Sequence, residues 1–410
     1  MEHIVIAGAG HAGVQLADSL RAEGCTAPVT LISAEPGLPY QRPPLSKDFL
    51  VAGSAPQPLP LKAGRFFTDT ATTLIEDNRI TGLDRAARTI TLADGQTFEY
   101  SHLVFATGAR NRTLTVPGAE LGGVHYLRTI TDAAALHAAL DTAQSVVVVG
   151  AGFIGLEFAA AARARGLAVT VLEYGRRPMA RAVSEETARY FTDTHTAAGI
   201  RLVFGQTVTA LEPDGARVAA ALGGDGTRYP ADLVVIGIGV HPNTELAAAA
   251  GLPTTHGIEV DTYLRTPDDH VWAIGDCAHF PCRHAGTSTR RESVQNAVDQ
   301  ARALARTLTA TPTEYAELPW FWSHQGTEKL QIAGVATRPD RTVLHGDPAS
   351  GKFSVFRFQD SALACVESVN QPRVHMTARK VLATNARPTP EQVLSPGFDL
   401  KNFLTRPAVV

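Results

Sequence analysis

The chain has 410 residues, of which 44% are hydrophobic and 19% charged, and a formal net charge of −3. That length exceeds what one core organises and predicts two or three domains, while the slightly acidic balance argues against a nucleic-acid binder. No apolar run reaches the ~18 residues of a membrane span. "MEHIVIAG" enters a strand so early that no signal or transit peptide is expected, which makes the cytoplasm the expected location. Cys25, Cys277, Cys282 and Cys365 are expected as reduced, mostly buried thiols.

The first element is a short apolar strand, Ile4 to Ala7, running into Gly8, Gly10 and Gly13. "VQLADSLRAEG" then carries a near-helical apolar stripe that stops at Gly24, and "VTLISAE" reads as a second strand. Strand, GxGxxG, helix and strand in that order define a dinucleotide site. The first glycine turns the chain, the second admits pyrophosphate to the backbone, and the third packs helix on strand. Amide hydrogens at the helix start then face the phosphates. Next comes "YQRPPLSK" (40–47), where two prolines stiffen the backbone between Arg42 and Lys47. On its own this octapeptide reads as a surface turn with two solvated cations.

"LADGQTFEYSHLVFATG" (92–108) combines an Asp94-Gly95 hairpin signal with a tyrosine and an apolar strand ending at glycine. The whole grammar then repeats. "SVVVVGAGFIGLEFAAAARARGLAVTVLEYG" places Gly150, Gly152 and Gly155 after a strand, and Glu173 closes the next strand. Glu173 lies near the ~20-residue spacing expected of a ribose-binding acid. "LGGDGTRYPADLVVIGIG" (222–239) repeats the hairpin and returning strand, with Asp225-Gly226 at the turn. Two such units in one chain predict two bound dinucleotides.

"CAHFPCRH" gathers Cys277, His279, Cys282 and His284, but CxHxxCxH is not a standard zinc spacing, so no metal is expected there. From Leu318 the pattern changes. "KLQIAGVA", "RTVLHGD", "KFSVFRF" and "SALACVESVN" read as short strands, and "VHMTARKVLATNA" as a helix, giving a small α+β C-terminal domain that carries the aromatic run Trp320–Trp322. The tail "FLTRPAVV" is expected to be ordered only where it docks.

With "FATGAR" (105–110), "GIGVHPN" (237–243), "WAIGDCA" (272–278) and "RESVQNAVDQA" (291–301) added, the chain resembles the pyridine-nucleotide-dependent flavoprotein reductases built like glutathione reductase. Within that group "LPYQRPPLSKDF" and "LPWFWSHQG" are most similar to the NADH-dependent ferredoxin reductases of the putidaredoxin reductase type. The resemblance covers essentially the whole chain. It implies an α/β fold of two Rossmann-like domains plus the C-terminal domain: FAD domain 1–112 and 244–317, NAD domain 113–243, C-terminal domain 318–410.

By the same resemblance Gly8, Gly10, His11, Ala12 and Gly13 lie along the FAD pyrophosphate and Glu35 on the adenosine ribose. Arg42, Ile80, Ala106, Thr107, Gly108, Arg110, Arg128 and Gly275 line the FAD, Asp276 meets its ribityl chain, and Val294 offers a backbone N–H to the flavin pyrimidine. Lys47 becomes a fixed cation at the flavin ring, favouring its reduced, anionic form. Gly150, Gly152, Phe153, Ile154, Gly155 and Gly239 hold NADH, with Glu157 near the nicotinamide. Glu173 accepts from the ribose 2′-OH and repels a 2′-phosphate, although Arg176 and Arg177 follow closely.

Disulfide reductases of this fold keep a cysteine pair, and NADH oxidases one cysteine, beside the flavin; residues 36–66 contain none. Electrons are therefore expected to leave the flavin singly, to a [2Fe-2S] ferredoxin serving a cytochrome P-450 monooxygenase or, less often, an aromatic-ring dioxygenase. The resemblance puts Trp320 near the flavin at the ferredoxin-docking face; because ferredoxins of this class are acidic, Arg283, Arg290 and Arg291 are candidate docking cations, the alternative being a solvated loop. Rubredoxin or another small acceptor is the alternative partner, and a non-catalytic NADH-sensing flavoprotein like apoptosis-inducing factor the alternative function. A monomer or a homodimer is compatible with either.

Overall fold

The computed structural model describes residues 2–51, 53, 57–310, 312–384 and 387–404. Residues 405–410 of the tail lie outside the described residues. The chain divides into two compact units.

The first unit comprises Met1–Gln41, Pro58–Arg110 and His241–Pro319. Its sheet is wholly parallel, in the order Val271–Ala273, His102–Phe105, Ile4–Ala7, Val29–Ile32, Thr72–Ile75. Ile4–Ala7 and Val29–Ile32 are buried along their full length, as strands covered on both faces must be. The helices His11–Ala22 and Val294–Thr309 pack on each other, and the first of them lies against Val29–Ile32. An antiparallel meander, Ile80–Asp84, Thr89–Leu92 and Thr97–Glu99, turns at Asp94-Gly95, where Gly95 takes φ +88°.

The second unit comprises Arg42–Gln57, Asn111–Val240 and Trp320–Val410. It repeats the plan. A parallel sheet runs Ile200–Phe204, Ala168–Glu173, Ser145–Val149, Leu233–Ile236, Val124–Tyr126, and a meander of Val208–Asp214, Arg217–Gly223 and Arg228–Pro230 turns at Gly226, φ +80°. Val147, Leu172, Val218, Tyr229 and Val234 form one buried cluster joining sheet to meander. Each such side chain contributes about 1.5–3 kcal/mol on burial.

In the same unit the C-terminal residues form a five-stranded antiparallel sheet: Trp320–Gln325, Glu328–Gly334, Ala362–Val369, Lys352–Gln359, Arg341–Asp347. The helix Pro372–Leu382 backs it through Ala378, Val381 and Leu382. Arg357 and fully buried Glu367, 3.0 Å apart, tie this sheet to Ser184, whose N–H and hydroxyl both donate to Glu367 at 2.8 Å. The fold class is the expected one. Among the described residues no helix is long and apolar enough to cross a membrane.

Candidate functional site: two glycine loops and a buried lysine–glutamate pair

In the first unit the loop of residues 8–13 is set by steric exclusion. A Cβ on Gly8 (φ +116°) would lie 2.3 Å from the Ala106 carbonyl oxygen, and one on Gly13 would lie 2.0 Å from that of Gly8. A Cβ on Gly10 would meet nothing within 4 Å. Gly10 is also the N-cap of the helix His11–Ala22 and provides no side-chain cap for its first turn. An open glycine at a helix start that no side chain caps fits a pyrophosphate, which would accept from those amides.

Around this loop, Gly275 (φ +76°) would bring a Cβ within 3.0 Å of the Ala12 side chain, and its N–H donates to Gln300 at 2.7 Å. Asp276 follows in a tight turn whose carbonyl accepts from Arg290. Val294 is the first residue of its helix, capped by Ser293. Glu35 accepts from the Tyr40 hydroxyl at 2.5 Å. Beyond the strand ending at Phe105, Ala106 is buried and Gly108 takes φ +66°, while Thr107 exchanges two hydrogen bonds with Asn243. Ile80 opens the meander opposite Leu92. Arg110 is half-exposed and ion-paired with Glu245 at 2.6 Å.

The loop of residues 150–155, in the second unit, has the same construction. A Cβ on Gly150 (φ +105°) would sit 2.5 Å from the Gly237 oxygen, and one on Gly155 would sit 2.2 Å from the Gly150 oxygen. Gly152 faces open space and starts the helix Phe153–Ala164 without a side-chain cap. Gly239, φ +103°, ends the adjoining strand-to-loop turn. Ile154 is exposed, and the Phe153 ring packs 4.5 Å from Phe321. Glu173 is already engaged: its carboxylate accepts from Ala151 N at 2.7 Å and Gly175 N at 2.6 Å. Arg177 donates to the carbonyls of Ala180 and Val183, whereas Arg176 is exposed. Tyr174, 79% exposed, stands directly after the acid, and sequence patterning had not singled it out.

The loop holding Arg42 and Lys47 belongs to this second unit. Pro43–Ser46 forms a short 3-10 turn with proline in its first positions, where a missing N–H breaks no hydrogen bond. Arg42 donates to the Arg128 carbonyl at 2.7 Å, and the Arg128 N–H donates to Asp132. Lys47 reaches Glu157 at 2.6 Å, and Glu157 is 4% exposed. The Ser46 and Ser323 hydroxyls and the His324 N–H also donate to that carboxylate. Lys47 and Glu157, 110 residues apart, thus meet directly. Ser46 and Ser323 join them; the only sequence signal was that each sits inside a motif already quoted.

Trp320 and Trp322 share one face of their strand, 5.8 Å apart. Arg379 lies 4.1 Å over the Trp320 ring, and the His375 ring lies tilted at 55° with its centroid 5.4 Å away. His375 is fully buried, neither ring nitrogen has a hydrogen-bond partner among the described residues, and burial pushes its pKa down to about 4. Burial pushes the Cys277 thiol up, and the thiol faces the Ile274 and Phe105 carbonyls. Among the described residues no group of three or more His, Cys, Asp or Glu side chains could hold a metal ion. Of the arginines read as docking cations, Arg290 pairs with Glu292 at 2.6 Å, Arg283 is exposed, and Arg291 is half-buried.

Two fused dinucleotide folds with steric glycine loops describe a class, and residues 2–301 match the family "Pyridine nucleotide-disulphide oxidoreductase", with residues 320–404 matching "Reductase C-terminal". The chain belongs to the pyridine nucleotide-disulphide oxidoreductase family. It is 50% identical to rhodocoxin reductase of Rhodococcus erythropolis, over 98% of this chain and 94% of that one. A ferredoxin reductase for the CYP199A2 system from Rhodopseudomonas palustris superposes with a TM-score of 0.96 at 48% identity, covering 98% and 99% of the two chains. The covalent putidaredoxin reductase–putidaredoxin complex gives 0.94 at 33% identity, covering 98% of each. The protein is a flavoprotein electron-transfer oxidoreductase of the ferredoxin reductase type that uses FAD and NAD(P)H.

Proposed function

We propose that the protein takes hydride from NADH onto FAD and passes electrons one at a time to a [2Fe-2S] ferredoxin that serves a cytochrome P-450 monooxygenase. The observation that carries this reading is the Lys47–Glu157 pair in a segment without cysteine. Residues 36–66 hold no thiol, and the four cysteines elsewhere form no disulfide among the described residues. No dithiol relay is available, so the reducing equivalents leave the flavin without one. Bound FAD supplies the conversion of a two-electron donor into single-electron output.

The chain's own residues have separable tasks in this reading. The loop at 8–13 and Glu35 hold FAD, with Ile80, the turn 106–108, Arg110, Gly275, Asp276 and Val294 completing its site. Arg42 and Arg128, joined to each other, serve the same nucleotide. The loop at 150–155 with Phe153, Ile154, Glu173 and Gly239 holds NADH. A carboxylate at Glu173 disfavours a 2′-phosphate by charge repulsion, so NADH is preferred over NADPH. Lys47 keeps a positive charge available where reduced flavin is negative, the kind of preorganised charge that contributes most to catalysis. Trp320 belongs to the surface that meets the ferredoxin.

The test is NADH-driven cytochrome c reduction with the purified flavoprotein and a panel of [2Fe-2S] ferredoxins, repeated with NADPH. One ferredoxin should support rapid turnover, with kcat/KM for NADH about 100-fold above that for NADPH. Turnover that no ferredoxin stimulates, or equal use of the two nucleotides, overturns the reading.

A further inference from the structure

The strand Trp320–Gln325 lies against the helix Phe153–Ala164, and their repeats match. Four helical residues rise about 6 Å and two strand residues about 6.6 Å. Phe321 therefore meets Phe153, and Ser323 meets Glu157 one step further along. One residue pair beyond that, Gln325 reaches His195.

The Glu157 carboxylate is saturated. Lys47 Nζ and Ser46 Oγ donate to Oε2, both at 2.6 Å; Ser323 Oγ at 2.7 Å and His324 N at 3.3 Å donate to Oε1. A carboxylate has about four acceptor positions, so Glu157 takes on a nicotinamide contact only by releasing one of these partners. Behind Ser323 the chain continues. Gln325 Nε2 donates to Ser323 Oγ at 3.3 Å and faces Met179 Sδ, so its Oε1 is the atom 2.8 Å from His195 Nε2. That oxygen can only accept, which places the imidazole proton on Nε2. His195 is 3% exposed, and burial holds its pKa below the usual value, keeping the ring neutral. Every donor in the series points toward Glu157, and hydrogen bonds aligned this way polarise one another.

We propose that Ser323, backed by Gln325 and His195, is a positioning group for hydride transfer: it fixes Glu157, and through Glu157 the Lys47 ammonium. The proposal rests on the NADH-to-flavin reading above. The C-terminal domain then acts in the first half-reaction as well as at the acceptor surface.

The experiment uses the FAD-loaded protein and three readouts. Acetic anhydride labelling of Lys47, followed by mass spectrometry, should be several-fold faster in Ser323→Ala than in the parent, with Ser323→Thr restoring protection. The 13C signals of His195 should report the single Nε2–H tautomer, and Gln325→Leu should release it to a mixture. Flavin reduction at saturating NADH should slow about tenfold in Ser323→Ala, the worth of one hydrogen bond to a charged group, with the NADH Kd unchanged. Unchanged Lys47 labelling together with unchanged reduction in Ser323→Ala overturns the proposal, as does a mixed His195 tautomer in the parent. Ser323→Cys carries the same comparison if the alanine variant does not fold. Should the parent not be reduced by NADH at all, the functional reading falls, while labelling and tautomer still decide the positioning.

Discussion

In the loop of residues 8–13 a Cβ on the first glycine would meet a carbonyl oxygen at 2.3 Å, and on the last at 2.0 Å; in the loop of residues 150–155 the distances are 2.5 and 2.2 Å. The two loops share the same close approaches and a similar φ at their first glycine (+116° and +105°), yet the side chains built on them diverge. The position two residues after the third glycine, which holds Glu157 in the second loop, holds Gln15 in the first. Among the described residues Gln15 donates only to its helix neighbours Asp18 and Ser19, whereas Glu157 is buried under four donors. The acids after the second strands differ as well. Glu35 accepts from Tyr40, and Glu173 closes on amides of its own loop. In the proposed reading, the duplicated cradle keeps what a pyrophosphate requires and varies where the two nucleotides would be used differently.

The most severe way to break the symmetry is at the glycines. Gly8→Ala should cost about 3 kcal/mol from the clash and the left-handed backbone, yielding protein without the yellow flavin absorbance. Gly10→Ala has room for its Cβ, so it should keep its melting temperature and lose only nucleotide affinity. Equal behaviour of the two would mean that the loop's shape does not matter.

Acid should separate the two units. The fully or nearly fully buried histidines His195 and His375 both lie in the second. His375 is neutral in the fold, and its pKa falls from 6.5 to about 4. The unfolded chain binds that proton more readily, so stability is intact above pH 6.5 and falls as the pH drops toward 4, by about 3 kcal/mol. Urea melts at pH 7, 5 and 4 should show this loss, and His375→Phe should remove most of it.

Glu157→Ala should slow flavin reduction about 100-fold in stopped flow, since it leaves Lys47 unpaired, while Gln15→Ala should change nothing. Glu173→Ala should lower the NADH-over-NADPH ratio of kcat/KM about tenfold. The mildest change is Arg379→Ala. It removes a cation–π contact worth about 1 kcal/mol and should appear as a shift in Trp320 fluorescence with little loss of stability.

Much of this comparison is legible in the chain. The glycine spacing, the Asp94-Gly95 and Asp225-Gly226 hairpins and the C-terminal strands are local patterns, and each forms where the pattern lies. What patterning could not reach are meetings across more than 100 residues. Ser323 and Gln325 look like the polar half of a strand until the helix of Glu157 is laid beside them. Likewise nothing in "YQRPPLSK" tells that residues 42–51 belong to the second unit. Nor does the spacing of Glu173 reveal that its carboxylate is held by the loop it follows. Tertiary packing decides these, and hydrophobic periodicity does not encode it.

The most direct measurement replaces Cys25, Cys277, Cys282 and Cys365 together by alanine and follows NADH-driven reduction of a [2Fe-2S] ferredoxin by the flavin-loaded variant. If the electrons leave the flavin without a thiol relay, turnover per bound flavin will match that of the parent. Loss of electron output while FAD stays bound would show that a cysteine carries the electrons after all.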